Sequence, residues 1–284
     1  MTSVNMKYEK RNKIKSFFAR TAVYAAAVLT IGALAAILIY ILVKGIAHVK
    51  PELFSPVYNS ENVSLFPALV NTLTMTALSL LIAVPLGLFS AVYLVEYAKR
   101  GNKAVGLIRL TTETLSGIPS IVYGLFGALM FTESLGMGLS LLSGALTMSV
   151  MILPVIIRTS EEALKSVPDS YREGSFGLGA GKLRTVFKIA VPAAIPGILS
   201  GIILSVGRIV GETVALIYTS GSVAQIPQSL MGSGRTLSVH MYALWSEGFN
   251  TDQAYATAVV LLVIVAGLNA LSSYVARKIT KGKK

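Results

Sequence analysis

The sequence predicts an all-α integral membrane protein with six transmembrane helices. Three observations carry that prediction. Of the 284 residues, 54% are hydrophobic and 13% charged, with a mean hydropathy of +0.69, against about 25% charged residues in ordinary soluble domains. Six apolar stretches come close to or exceed the roughly 20 residues a helix needs to cross a bilayer. Lys and Arg gather at alternate ends of these stretches. A net charge of +12 would suggest nucleic acid in a soluble protein, but membrane topology explains it here. The absence of cysteine excludes disulfides and cysteine-ligated metals.

The stretches are residues 21–43, 65–95, 114–132, 134–157, 189–220 and 253–276. The first follows a basic N-terminus, residues 1–20. It is too long for the apolar part of a signal peptide, about 7–15 residues, and reads as an uncleaved span. The second holds Pro67, suited to a first helical turn, and Pro85, which predicts a kink. Gly136 and Gly138 make the turn between the third and fourth. Six spans put the N-terminus, 98–109, 158–188 and the C-terminus on one side, with 21 of the 25 Lys and Arg. The bias of positive charge toward the inside makes that side cytoplasmic, with both termini. The chain divides into the basic N-terminus, the span 21–43, a core 65–276 that includes the loop 158–192, and a basic tail 277–284.

The loop 158–192 is charged and helix-capable. Ser170 with Glu173 three residues later is a capping-box signature, which predicts a short helix over 171–178. Gly177, Gly179 and Gly181 then permit a sharp turn. Pro168 marks the boundary before it, and Pro192 and Pro196 mark re-entry into the membrane. Gly179-Ala-Gly181-Lys182 is no P-loop, because Phe176 and Leu183 occupy positions that need Gly and Ser or Thr. No nucleotide site is expected on this chain.

The fifth stretch carries Arg208 and Glu212 in an otherwise apolar run. A charge at the bilayer centre costs about 2.5–3.5 kcal/mol on insertion scales, so such residues face a bundle interior or a cavity. Four residues apart, the two share a helix face. Gly207 and Gly211 flank that face and allow close helix approach. A guanidinium offers a planar fork suited to phosphate-like oxyanions. Two readings stay open and compatible. The pair is an intramembrane ion pair that fixes packing, or it lies on a substrate path where an entering anion competes with Glu212 for Arg208.

Glu173-Gly174-Ser175, three residues, Gly179, nine residues, Ile189, one residue, Val191-Pro192 resembles the EAA loop of ABC-importer permeases. That pattern is Glu-Ala-Ala, three residues, Gly, nine residues, Ile, one residue, Leu-Pro. Gly174, Ser175 and Val191 depart from it, conservatively in size. The resemblance implies that Glu173, Gly174, Ser175, Gly179, Ile189 and Pro192 belong to a helix that docks into a cytoplasmic ATPase. Arg208-Ile-Val-Gly-Glu212-Thr213, the run from Leu115 to Gly127 and Thr236-Leu-Ser-Val-His240-Met resemble the permeases of the bacterial phosphate-specific importer, the PstA type more than its PstC partner. That implies a type I importer permease in the bacterial cytoplasmic membrane. Its implied partners are a PstC-type permease, a PstB-type ATPase dimer that holds ATP and magnesium, and an external PstS-type phosphate-binding protein. No catalytic residue, metal or cofactor is expected on this chain. The implied pathway residues are Arg208, Glu212, Thr213 and Ser120. Another oxyanion importer, for sulfate or molybdate, and an ATP-independent secondary transporter are the alternatives.

Ser116, Pro119 and Ser120 lie in the third span, where a carbonyl freed by Pro119 finds the hydroxyls. Arg109 and Glu113, four apart, read as a structural ion pair. Thr72 and Thr76 share a face of the second span. The segment 221–252 suggests an interfacial or re-entrant stretch facing the binding protein, with Tyr242 and Trp245 as headgroup anchors. His240 has no second ligand at metal spacing. Gly32 with Ala36 and Gly197 with Gly201 read as helix-packing pairs.

Overall fold

The computed structural model describes residues 3–99 and 101–281. Residues 1 and 2, Arg100 in the loop 98–109 and residues 282–284 of the basic tail lie outside the described residues. The described chain is helical throughout, with no strand. Its long helices are α1 (Ser3–Ile46), α2 (Phe66–Val92), α5 (Leu141–Lys165), α8 (Val191–Gly211) and α11 (Thr251–Lys281). Between them lie α3 (Lys103–Ser116), α4 (Ser120–Gly127), α6 (Asp169–Gly177), α7 (Lys182–Thr185), α9 (Val214–Thr219) and α10 (Leu237–Glu247). Five helices are long and apolar enough to cross a membrane, and six spans result if the bent pair α3–α4 counts as one.

That bent pair corrects the third predicted stretch. The helix starts at Lys103, well before residue 114, and breaks at Gly117-Ile118-Pro119. Beyond the break, residues 120–134 run at 103° to it. Pro119 sits at the N-cap of α4 with φ −59° and ψ 142°, so its ring and its extended backbone end one helix and start the next. The Tyr123 hydroxyl spans the corner and donates to the Leu115 carbonyl at 2.8 Å. The fourth span begins at Leu141 rather than at residue 134, because Gly136 and Gly138 take φ of +64° and +61° and hold the chain out of helix, as the glycines predict.

In lipid, apolar burial does not drive helices together, so close contact through small residues does more of the work. α2, α5 and α8 form the centre, where Met75, Met148, Met151, Ile152, Ile156 and Ile209 are almost fully buried. Gly197 and Gly201 of α8 lie so close to Ala163 and Thr159 of α5 that a methyl group would collide there. The expected packing role of that pair holds. Gly32 of α1 has nothing near it, so the Gly32–Ala36 pair packs on nothing described. No residue along the most apolar stretch of α1 is buried by the rest of the chain. The helix meets α11 near its end, where Tyr40 and Tyr255 stack edge to face with ring centroids 5.8 Å apart. Thr72 and Thr76 bond back to Ala68 and Thr72 carbonyls at 2.7 and 2.8 Å, and the Thr72 hydroxyl also accepts from the Leu237 amide at 2.8 Å.

The segment 221–252 folds back onto the bundle. Its first part straps across the start of α5. The Leu141 and Leu142 amides, orphaned at a helix N-terminus, donate to the Gly232 and Leu230 carbonyls at 3.0 and 2.9 Å. α10 then tucks in with Leu237, Val239, His240 and Leu244 buried, while Tyr242 and Trp245 stay half exposed.

Candidate substrate-pathway and coupling sites

The fifth span is not continuous. α8 stops at Gly211, and Glu212 is extended with φ −73° and ψ 131°. α9 restarts at Val214. The break has a visible local cause. The Glu212 carboxylate accepts from the Ala215 amide at 3.1 Å, capping the new helix. The Glu212 carbonyl, released from α8, accepts from the Ser238 hydroxyl of α10. Thr213 stands at the N-cap of α9.

The expected Arg208–Glu212 pair is therefore absent. Leaving helical geometry at Glu212 destroys the four-residue alignment and turns the carboxylate toward α9. Arg208 keeps its place one turn before the break, half buried and without an ion pair among the described residues. It lies within electrostatic reach of Tyr123 on α4, which puts it beside the other broken span. Gly124 and Gly127 of α4 press on α9 at Ala215 and Thr219, so the two breaks are neighbours. Ser120 opens α4 at that corner; the structure shows no bond from it to Arg208. Gly207 and Gly211 face open space, since a Cβ at either would meet nothing within 4 Å. The bundle leaves a bare face beside an unpaired cation.

At the opposite end, α6 spans Asp169–Gly177 with Pro168 at its N-cap and no side-chain cap. The predicted capping box is not formed. Pro168 already has helix-entry geometry, so the helix starts two residues early and Ser170 falls inside its first turn. Gly179 takes φ +83° and makes the turn expected of the glycines. Glu173, Gly174 and Gly179 are exposed, and Ser175 is half buried with its hydroxyl 2.9 Å from that of Thr185. Ile189 lies in the π-helical turn Val186–Ala190 and is 37% exposed, while Pro192 opens α8. Leu178 is 91% exposed and Tyr171 and Phe176 are about half exposed, which is a costly display for an isolated loop.

Residues that sequence reasoning missed hold α6 in place. Arg172 bonds Glu96, in the π-helical turn Tyr93–Tyr97 that follows α2, through Nη2 at 2.8 Å and Nε at 3.1 Å. It also donates to the Leu164 and Val167 carbonyls at 2.9 and 2.8 Å and to Asp169 at 3.1 Å. The Arg172 and Glu96 side chains are 14% and 9% exposed. Arg109 pairs with Glu161 at 2.6 Å instead of with Glu113, and Lys165 reaches the same carboxylate at 2.7 Å. Glu113 faces Arg158 at 4.0 Å. α3 lies against α5, so cross-helix partners win over the same-helix pair. Helical spacing was the only pairing signal available in sequence; it reaches Lys165–Glu161 and Arg172–Asp169, but Arg109–Glu161, Arg158–Glu113 and Arg172–Glu96 join residues 45 or more positions apart.

Within the strap, Arg235 is 5% exposed, with its guanidinium carbon 4.8 Å from the Tyr58 ring centroid. Burial and the neighbouring Arg235 charge push His240 down to about 3. It stays neutral, packed edge to face on Tyr58. No group of three or more His, Cys, Asp and Glu that could hold a metal is found among the described residues.

The apolar spans and the family match together make the chain a permease subunit of an ABC importer, a multi-pass inner-membrane protein rather than an enzyme. The chain belongs to the family described as binding-protein-dependent transport system inner membrane component, which matches residues 83–282. It is 34% identical over 229 residues to the probable ABC transporter permease protein YqgI of Bacillus subtilis, covering 75% of this chain and 78% of that one. It is 37% identical over 210 residues to phosphate transport system permease protein PstA 1 of Mycobacterium tuberculosis, covering 72% and 67%. Solved structures share the fold. A chain of the inward-facing MetNI methionine ABC transporter superposes with TM-score 0.59 at 19% identity over 76% of this chain and 94% of that one. A chain of an alginate-importing ABC transporter gives 0.57 at 17% over 89% and 96%. As a permease of this class, the chain works with a second permease and a separate ATPase.

Proposed function

We propose that this chain is the PstA-type permease of a phosphate importer and that Arg208 makes transient contact with the passing anion. The observation that carries the reading is a half-buried arginine, unpaired among the described residues, at the junction of two broken spans. An unpaired charge at membrane depth is expensive, and an oxyanion is the ligand a guanidinium fits best. The relatives named for phosphate transport support the choice among oxyanions. Glu212 shapes the break and, through its bond to the Ala215 amide, fixes where α9 starts. Thr213 and Ser120 line the same junction. The bare face at Gly207 and Gly211 receives a PstC-type permease. Glu173, Gly174, Ser175, Gly179, Ile189 and Pro192 form the element that a PstB-type ATPase, holding ATP and magnesium, grips from the cytoplasm. The strap 221–236 meets a PstS-type binding protein outside, and both termini lie inside. Arg208→Gln tests the reading: phosphate uptake is lost while the permease pair and ATPase still co-purify. Loss of the complex itself would assign Arg208 to packing instead.

A further inference from the structure

Where the π-helical turn Tyr93–Tyr97 after α2 meets α3, α5 and α6, at the α6 end of the bundle, a hollow of about 800 Å³ opens. That is the size range of small-molecule sites. Among the described residues its walls carry five cations, Lys99, Lys103, Arg109, Lys165 and Arg172, against two carboxylates, Glu96 and Asp169. Three cations are already engaged. Arg172 holds Glu96 and Asp169, and Arg109 and Lys165 share Glu161 just behind the wall. Lys99 and Lys103 are left exposed, with no ion pair among the described residues.

With Glu161 counted alongside Glu96 and Asp169, the three carboxylates leave the described lining net positive, the balance coming from Lys99 and Lys103. α3 continues from Lys103 with Leu107 and Leu110, 64% and 62% exposed, one and two turns on. An apolar helix face therefore begins where the positive hollow ends, as a lipid with an anionic head requires. Basic pockets between membrane helices bind anionic headgroups by this arrangement. We propose that the hollow is a binding site for a phosphate group, carried by a lipid headgroup or free as inorganic phosphate, held by Lys99 and Lys103. Asp169 and Arg172 bring the first turn of α6 to the same wall, so the occupant sits against the coupling element. The site is separate from the Arg208 junction and does not depend on what that junction carries.

The test uses the full-length chain purified with its co-purifying partners, as wild type, as Lys99→Ala/Lys103→Ala and as Lys99→Arg/Lys103→Arg. Native mass spectrometry measures retained phosphatidylglycerol against phosphatidylcholine. Equilibrium binding of labelled inorganic phosphate is measured in nanodiscs of phosphatidylcholine alone. Loss of two lysines should weaken one of these by about 10- to 30-fold, and the arginine variant should retain it. Loss in the first measurement assigns a lipid headgroup, and loss in the second assigns free phosphate. Phosphate bound at Arg208 is common to all three proteins and cancels. If the alanine variant matches wild type in both measurements, the proposal is overturned.

Discussion

At the scale of single residues, Glu212 shows how one side chain changes a span. Sequence spacing puts it opposite Arg208 on a helix. The structure puts it outside the helix, where its carboxylate holds the Ala215 amide at 3.1 Å. A glutamine can still accept that bond and an alanine cannot. Glu212→Gln is expected to stay within a few degrees of wild-type melting temperature, and Glu212→Ala to lose about 1 kcal/mol, the usual worth of a side-chain helix cap. Thermal unfolding of the purified variants measures both. His240 makes a second residue-scale prediction. Its folded-state pKa of about 3 lies below the ordinary value near 6.5. The folded chain thus binds fewer protons than the unfolded chain between those limits. The contribution is fully present above about pH 6.5 and is lost as pH falls toward 3. His240→Gln should flatten that acid limb in unfolding measured from pH 4 to pH 7.

At the scale of elements, the legible and illegible parts have separate causes. The apolar runs that became α1, α2, α5, α8 and α11 were readable because lipid demands length and low charge, and both are local properties of sequence. The corner at 117–119 and the break at 212–213 were not readable. Hydropathy does not change across them, and their local causes, Pro119 and the Glu212 cap on the Ala215 amide, are also compatible with a kinked but continuous span; the Ser238 hydroxyl and the Tyr123 bond to Leu115 complete the breaks. α6 was legible from spacing, but its anchor was not, since Glu96 lies 76 positions from Arg172. Removing one partner of a nearly buried ion pair costs about 3–5 kcal/mol. Arg172→Ala should therefore loosen α6 from α2 and α5. With α6 as the proposed coupling element, the expected outcome is ATP hydrolysis that persists in the assembled complex while uptake falls at least tenfold. Uptake and hydrolysis falling in parallel would mean that Arg172 serves folding alone.

At the scale of the whole molecule, the chain is built as a part. α1 has no buried residue along its most apolar stretch, α8 keeps a glycine face open, and Leu178, just past α6, is almost completely exposed. The apolar length of α1 suits lipid, while the open glycine face of α8 and the exposed Leu178 suit contact with other subunits. The purified chain alone should accordingly carry no anion across a liposome membrane, with or without ATP. The central claim is that the assembled importer moves phosphate along a path that Arg208 touches. The most direct measurement is ATP-driven uptake of labelled phosphate by the reconstituted complex, with sulfate in excess and with wild-type or Arg208→Gln chain. The account predicts uptake that sulfate leaves unchanged and that Arg208→Gln reduces at least a hundredfold, about 3 kcal/mol. Sulfate carried in place of phosphate, or full phosphate uptake by the Arg208→Gln complex, would contradict it.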